Sequence, residues 1–246
     1  MPNIKAIIEY DGTDFSGFQK QPSRFTVQGE LERVLKELFQ GKDAVKVVGA
    51  GRTDAGVHAT GQVISFSAPE RFPTDKIYPA LNGLLPKSIM VKSVQIAEES
   101  FHARYSAKAR TYIYVVLNRE APTALLRRYV WHVTKPLDIS AMQAAAAELI
   151  GKHDFASFGV PDRSGGSTVR QVFDFRIGRR KDAIYFKIRA DAFLRSMVKA
   201  IVGTLVETGQ GKRVPEDVAR ILAECDRRAA GVSAPSQGLY LSKVEY

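Results

Sequence analysis

The chain opens on an alternating stretch, NIKAIIEY (3–10), which reads as a half-buried strand. A polar loop follows, DGTDFSGFQKQPSRFT. Leu31, Val34, Leu35 and Leu38 then recur at the i, i+3, i+4, i+7 spacing of a helix over 27–40, with Thr26 placed to cap its start and Gly41 to close its end. VKVV (45–48) and QVISFS (62–67) read as strands joined by a glycine loop. A second helix is expected over 74–85, with Ile77, Leu81 and Leu84 on one face and Pro86 as its stop, before SIMVKSVQIA (88–97) returns as a strand.

The later half repeats this rhythm. KARTYIYVVLN (108–118) puts Tyr112, Tyr114 and Val116 on one face and Ile113, Val115 and Leu117 on the other. Ser140 is placed to cap an alanine-rich helix ending at Gly151, and QVFDFRIGRR with AIYFKIRADAF reads as a hairpin turning at Lys181 and Asp182. A long helix is expected over 192–208 and a shorter one over 216–226, opened by Pro215. Alternating strands and helices predict a compact α/β or α+β architecture, and the similar element order of the two halves suggests a duplicated domain.

At 246 residues and 45% hydrophobic content the chain can bury a sizeable core. No apolar run reaches the roughly 18 residues needed to cross a bilayer, and the start MPNIKAIIEYDG lacks the form of an export signal, so a cytoplasmic location is expected. The single cysteine, Cys225, excludes an internal disulfide and any multi-thiolate metal site; within PEDVARILAECDRR it reads as inert helix filler. Charge adds more. Lys and Arg exceed Asp and Glu by one over residues 1–106 (13 against 12) and by nine over 107–246 (23 against 14), and a basic half of this kind suits a polyanion.

The glycine loop, GAGRTDAGVHATGQV (49–63), carries the candidate chemistry. A dinucleotide-binding reading puts Asp54 where a pyrophosphate would lie, and no G-K-[ST] of a nucleotide P-loop occurs. The four histidines, 58, 102, 132 and 153, are scattered, so a metal site is not expected, and His58 reads as a structural or RNA-contacting side chain. What remains is a carboxylate, Asp54, on a loop whose glycines let a ligand come close, with Arg52 two residues earlier. A neighbouring guanidinium favours the ionised carboxylate, hence a nucleophile or base rather than a general acid. The ordinary alternative is a turn in which Asp54 caps a backbone amide and Arg52 is surface.

This loop resembles the central motif of the tRNA pseudouridine synthase A family. Companion motifs follow in that family's order: IEYDGTDFSGFQKQP, TVQGELE, LNGLLP, SFHARYSAKARTYIYVV, HDFASF, AFLRSMVKAIVGTLVETGQG and APSQGLYL. The resemblance implies a pseudouridine synthase fold, with two related α/β domains sharing an extended, mainly antiparallel sheet flanked by helices. An N-terminal domain (1–106) would carry the aspartate loop, and a basic C-terminal domain (107–246) would complete the cleft. It further implies isomerisation of uridine to pseudouridine in the anticodon stem-loop of tRNA by a homodimer, without cofactor or metal. Asp54 falls on the family's catalytic aspartate, Arg52 on its neighbouring arginine, Tyr112 on the tyrosine that packs against the target base and Leu239 on a pocket leucine. The family's MVRN reads MVKA here, so Lys199 keeps the charge without the planar fork of arginine and Ala200 loses an amide. Phe18 stands for a frequent tryptophan and would keep an aromatic surface.

That chemistry makes three demands on the residues. A carboxylate must reach the nucleoside, and Asp54 has three routes open to it: adding to the base, attacking C1′ or removing the C2′ proton. The flipped base needs a replacement stacking surface, for which Tyr112 is placed. The RNA must be held by its phosphates, for which Arg104, Lys108 and Arg110, the hairpin residues Arg179, Arg180 and Lys181, and Arg195 with Lys199 one helical turn away are candidates. The FASF segment (155–158) reads as core. A non-catalytic RNA-binding protein and a small-molecule nucleoside enzyme are the competing readings. The first has no need of an ionised aspartate in a glycine loop, the second none of a +9 half.

Overall fold

Alternation along the chain translates into ten strands and five α-helices in the computed structural model, which describes residues 1–40, 45–70, 72–161 and 165–246. Among the described residues, the strand pairs within each unit are antiparallel in six cases and parallel in one, so the class is α+β and mainly antiparallel, as the resemblance implies. The chain divides into two units. One comprises Met1–Lys108 with Leu241–Tyr246, the other Ala109–Tyr240.

In the first unit, β1 (Asn3–Tyr10) pairs with β3 (His58–Ser67) on one side and β4 (Ile89–Ala97) on the other, and β2 (Val48–Gly49) pairs with β3. The strict alternation of β1 buries Ile4, Ala6, Ile8 and Tyr10. Helix α1 (Val27–Phe39) buries Leu31, Val34, Leu35 and Phe39, its Thr26 side chain accepting from the Gly29 N–H as the spacing predicts. It ends with Gln40 in a left-handed conformation; the expected role of Gly41 lies outside the described residues. Helix α2 (Thr74–Leu84) buries Ile77 and Leu81, but Leu84 is exposed and Leu85 takes the inward place. Of the strand expected over 45–48 only Val48 lies in β2, which runs on to Gly49, and β3 starts four residues earlier than its apolar run, with His58 and Gly61 buried.

The second unit is built on β5 (Ala109–Asn118), β9 (Ala183–Ala190), β8 (Val169–Arg180) and β7 (Gly151–Asp154), paired in that order, with β6 (Trp131–Val133) parallel to β5. The β8–β9 hairpin turns at Lys181 and Asp182, as read from the sequence, with Lys181 at φ 53. Helix α3 (Ile139–Ala147) packs on β8 and on α4 (Met197–Gly209). Its cap is Asp138, whose carboxylate accepts the Ala141 N–H at 3.0 Å; Ser140 lies inside the first turn, and the helix stops before Glu148. Helix α4 buries eleven of its thirteen residues. Phe155 and Phe158 are fully buried, so FASF is core. Helix α5 (Asp217–Glu224) ends at Cys225, which is an exposed C-cap at φ 48 rather than packed filler. Strand β10 (Leu239–Glu245) follows one turn of 3-10 helix (Ser236–Gly238) and runs out of the second unit into the first. No helix among the described residues is long and apolar enough to cross a membrane.

Candidate active site

The loop Ala50–Val57 lies between β2 and β3, and it is tied down on both sides of its charged residues. At its base the Ala50 N–H donates to the Val63 carbonyl at 2.8 Å. Gln62, fully buried in β3, accepts the Gly51 N–H at 3.3 Å and donates to the Gly51 carbonyl at 2.7 Å. On the other side of Arg52, the Thr53 carbonyl accepts the Phe18 N–H at 3.0 Å, and the Thr53 hydroxyl is 2.8 Å from the buried Tyr10 hydroxyl. Burial pushes the Tyr10 phenol up to about 12, so it stays protonated and able to serve this bond. The Asp54 carbonyl accepts the Val57 N–H at 3.2 Å, closing a turn that needs the left-handed Gly56 (φ 74). Arg52 is therefore held between two fixed peptides and is exposed, while Asp54 is half-buried.

The polar loop after β1 supports this arrangement from outside. Gly17 adopts φ 97, and a Cβ there would lie 2.8 Å from the Thr53 carbonyl oxygen, so no side chain fits. Phe18 is 2% exposed and packs where a side chain on Gly49 would stand. The expected aromatic surface at 18 is thus a buried prop for the loop. His58 is 2% exposed, and its Nδ1 accepts the Gly12 N–H at 3.1 Å. The same nitrogen lies 3.2 Å from Asp11 Oδ1, so protonating the ring would exchange the Gly12 bond for one to Asp11. Arg104 is half-buried, its guanidinium 5.9 Å from the Tyr105 ring centroid, and Lys108 is exposed with its N–H bonded to the Glu245 carbonyl.

In the second unit, Tyr112 is 8% exposed on β5 and meets Phe193 edge-on, ring centroids 4.9 Å apart. Two residues earlier, Arg110 donates from Nη1 to the Asp191 carbonyl at 2.7 Å. Leu239 is 6% exposed, and the segment before it is pinned twice: the Ala234 N–H donates to the Lys199 carbonyl at 2.9 Å, and the Tyr114 hydroxyl donates to the Pro235 carbonyl at 2.6 Å. Lys199, half-buried in the first turn of α4, and Leu239 are thereby fixed through one stretch of backbone. Ala200 is fully buried.

Arg195 requires a correction. It was expected one turn before Lys199 on a common helix, yet α4 begins only at Met197. Arg195 instead makes a β-bridge with Val160, its N–H donating at 3.0 Å, and Ser196 is left-handed at φ 64. The cause lies upstream: Asp191 Oδ1 accepts from both Gln171 N–H (3.0 Å) and Ala192 N–H (2.6 Å), which offers the backbone an alternative to helix. Arg195 and Lys199 therefore do not share a helical face.

A family model described as tRNA pseudouridine synthase matches residues 6–106 and 145–246. The chain belongs to the tRNA pseudouridine synthase family. It is 45% identical to tRNA pseudouridine synthase A of Brevibacillus brevis over 246 residues, covering all of both chains. It is 47% identical to tRNA pseudouridine synthase A of Halalkalibacterium halodurans over 239 residues, covering 97% of this chain and 90% of that one. Among solved structures, a Cbf5–Nop10–Gar1 complex aligns at 11% identity and a TM-score of 0.39, over 97% of this chain and 48% of its own.

For a member of the synthase family, the residues least visible in sequence are those that hold the loop. Tyr10, Thr53 and Gln62 form a buried polar group whose members are far apart in the chain. The signal available was Gln62 itself, a polar residue inside the apolar run of β3, where an unpartnered amide would be costly. Phe193, the neighbour of Tyr112, carries no such mark.

Proposed function

We propose that the protein isomerises uridine to pseudouridine in the anticodon stem-loop of tRNA, acting in the cytoplasm as a homodimer. Asp54 is the ionised carboxylate that engages the flipped nucleoside, with Arg52 beside it. Tyr112 offers a face to the displaced base, Leu239 lines the pocket, and Lys199 supplies positive charge near the carboxylate. Arg104, Lys108, Arg110 and Arg195 hold the RNA backbone; an N-terminal domain over 1–106 carries the aspartate loop and a basic C-terminal domain over 107–246 completes the cleft.

The observation that carries this reading is the bracing of the Asp54 loop. A carboxylate that attacks or deprotonates must be held in a productive geometry before substrate arrives, since loss of freedom during the reaction would raise the barrier. Bonds from Gln62 to the Gly51 backbone, from Phe18 to the Thr53 carbonyl and from Tyr10 to the Thr53 hydroxyl provide that preorganisation on both sides of Arg52. Half-burial removes part of the water around Asp54. Family membership supplies the reaction, cleavage of an N-glycosidic bond and rejoining through carbon; adding to the base, attacking C1′ and removing the C2′ proton all use the same ionised oxygen. Tyr112, 8% exposed on β5, is the aromatic ring read for a base that has left its stack and needs a replacement surface.

The test is incubation of purified protein with unmodified tRNA and mapping of pseudouridine at nucleotide resolution. Conversion of anticodon stem-loop uridines is expected; tRNA that is bound but unchanged would replace this reading with that of a binding protein.

A further inference from the structure

Residues 169–190, the β8–β9 hairpin, hold seven Lys or Arg against two Asp, so half of the chain's net charge of +10 falls in less than a tenth of its length. Alternation divides the hairpin into two faces. Val172, Phe175, Ile177, Ile184, Phe186 and Ile188 are buried, whereas Phe173, Arg176, Tyr185 and Lys187 are exposed. Tyr112 pairs in register with Ile188 and is buried with it, so the exposed set lies on the opposite face of the sheet from that tyrosine.

Three features of this outer face are not explained by the fold. Arg176 and Lys187 stand directly across from one another, a like-charged cross-strand pair that weakens a sheet. Asp174 offsets part of that repulsion through the Nε of Arg176 at 2.9 Å. Gly178 pairs with Tyr185 in an unbroken register, Ile177 with Phe186 before it and Arg179 with Ile184 after it. It has no positive φ, and a Cβ there would meet nothing within 4 Å. A strand glycine with neither a bulge nor crowding to require it leaves room for another molecule to come close. Finally, the Arg189 guanidinium sits 4.8 Å from the centroid of the exposed Phe173 ring, an arginine–aromatic platform.

We infer that the outer face of the β8–β9 hairpin is a second RNA-binding surface, contacting a part of the tRNA outside the anticodon stem-loop. Arg176 and Lys187 take phosphates, and an unpaired base stacks on Tyr185 across the bare backbone of Gly178. Cationic side chains beside exposed aromatic rings match single-stranded nucleic acid, in which every base offers a face to stack and every linkage a charge to neutralise. A second copy of the chain would bring this positive charge against itself. The inference rests on tRNA being the substrate.

The experiment measures binding of whole tRNA and of the isolated anticodon stem-loop across a range of salt concentrations. It compares wild type, Gly178→Val, and the double variant Arg176→Ala, Lys187→Ala. Valine suits a strand and has open space at 178, so Gly178→Val should unfold no earlier than wild type yet bind whole tRNA about tenfold more weakly, because it covers the Tyr185 face. The double variant should lower the log–log salt slope for whole tRNA by roughly 1 per residue removed. Affinity for the stem-loop should change less than about twofold in either, a difference below the energy of one stacked base. Whole-tRNA affinity and salt slope equal to wild type in both variants would overturn the proposal. So would a changed sedimentation profile, which would assign the face to contact between copies. Wild type that fails to bind tRNA would overturn the substrate reading itself, and this proposal with it.

Discussion

Two loops in this molecule carry charge read for a substrate, one expected as a loop and the other as the start of a helix, and they are built in different ways. Ala50–Val57 is fixed by side chains buried beneath it, with Gln62 bonded to both polar atoms of the Gly51 peptide and Tyr10 bonded to Thr53. The stretch from Asp191 to Ser196 is fixed by backbone pairing to Val160 and by one carboxylate, Asp191, reaching Gln171 and Ala192. The first construction leaves the two peptides around Arg52 little freedom, as a reacting group requires. The second sets the path of the chain while Arg195 itself stays exposed, which is sufficient for holding a phosphate. Precision is concentrated at the carboxylate.

The comparison is broken most severely at Gly17. Gly17→Val must leave a left-handed conformation and displace the Thr53 carbonyl, so kcat should fall at least about a hundredfold and stability by about 2–4 kcal/mol, read by single-turnover kinetics and urea unfolding. Gln62→Leu keeps the volume but strips both partners from Gly51. Here kcat should drop about ten- to a hundredfold with KM for tRNA nearly unchanged, and buried amide groups left unpaired should cost about 1–3 kcal/mol. A KM effect larger than the kcat effect would mean that this network serves RNA binding instead. Asp191→Ala should cost about 1 kcal/mol in unfolding free energy and alter kcat less than about threefold, because it loosens a loop that only positions charge.

The effect felt only outside the working pH range is that of Tyr10. Tyr10 is buried and its phenol is raised from 10.0 to about 12, so the native state holds this proton more tightly than the unfolded chain does. Its stabilising contribution is complete below pH 10 and is lost as pH rises from 10 towards 12, a change of about 2–3 kcal/mol at most. Tyr10→Phe should flatten the alkaline limb of the stability profile measured by urea titration. The flattening will be partial, since burial also raises Tyr114 in the same direction.

Much of this was legible in local pattern. The strand faces of β1 and β5, the capping by Thr26, the hairpin at Lys181 and the burial of FASF follow from spacing alone. The Asp54 loop was legible as a motif because its glycines and its paired charges lie together in sequence. What was not legible depends on partners far along the chain. An apolar run from Ala192 onward has helical spacing, yet the bonds from Asp191 to Gln171 and from Arg195 to Val160 delay the helix to Met197. Asp138 takes the cap from Ser140 because its carboxylate reaches Ala141, and two acceptable cap residues three positions or fewer apart cannot be ranked by propensity. Phe18 reads as an aromatic surface in a polar loop, but the folded chain turns it inward, onto the place a Gly49 side chain would take.

The central claim is that the side-chain oxygen of Asp54 performs the reaction and is not needed to hold the RNA. Measuring tRNA affinity and pseudouridine yield together for Asp54→Asn tests it directly. Affinity within about threefold of wild type, with turnover reduced by at least about a thousandfold, is the predicted result. Turnover that survives the substitution would contradict the account.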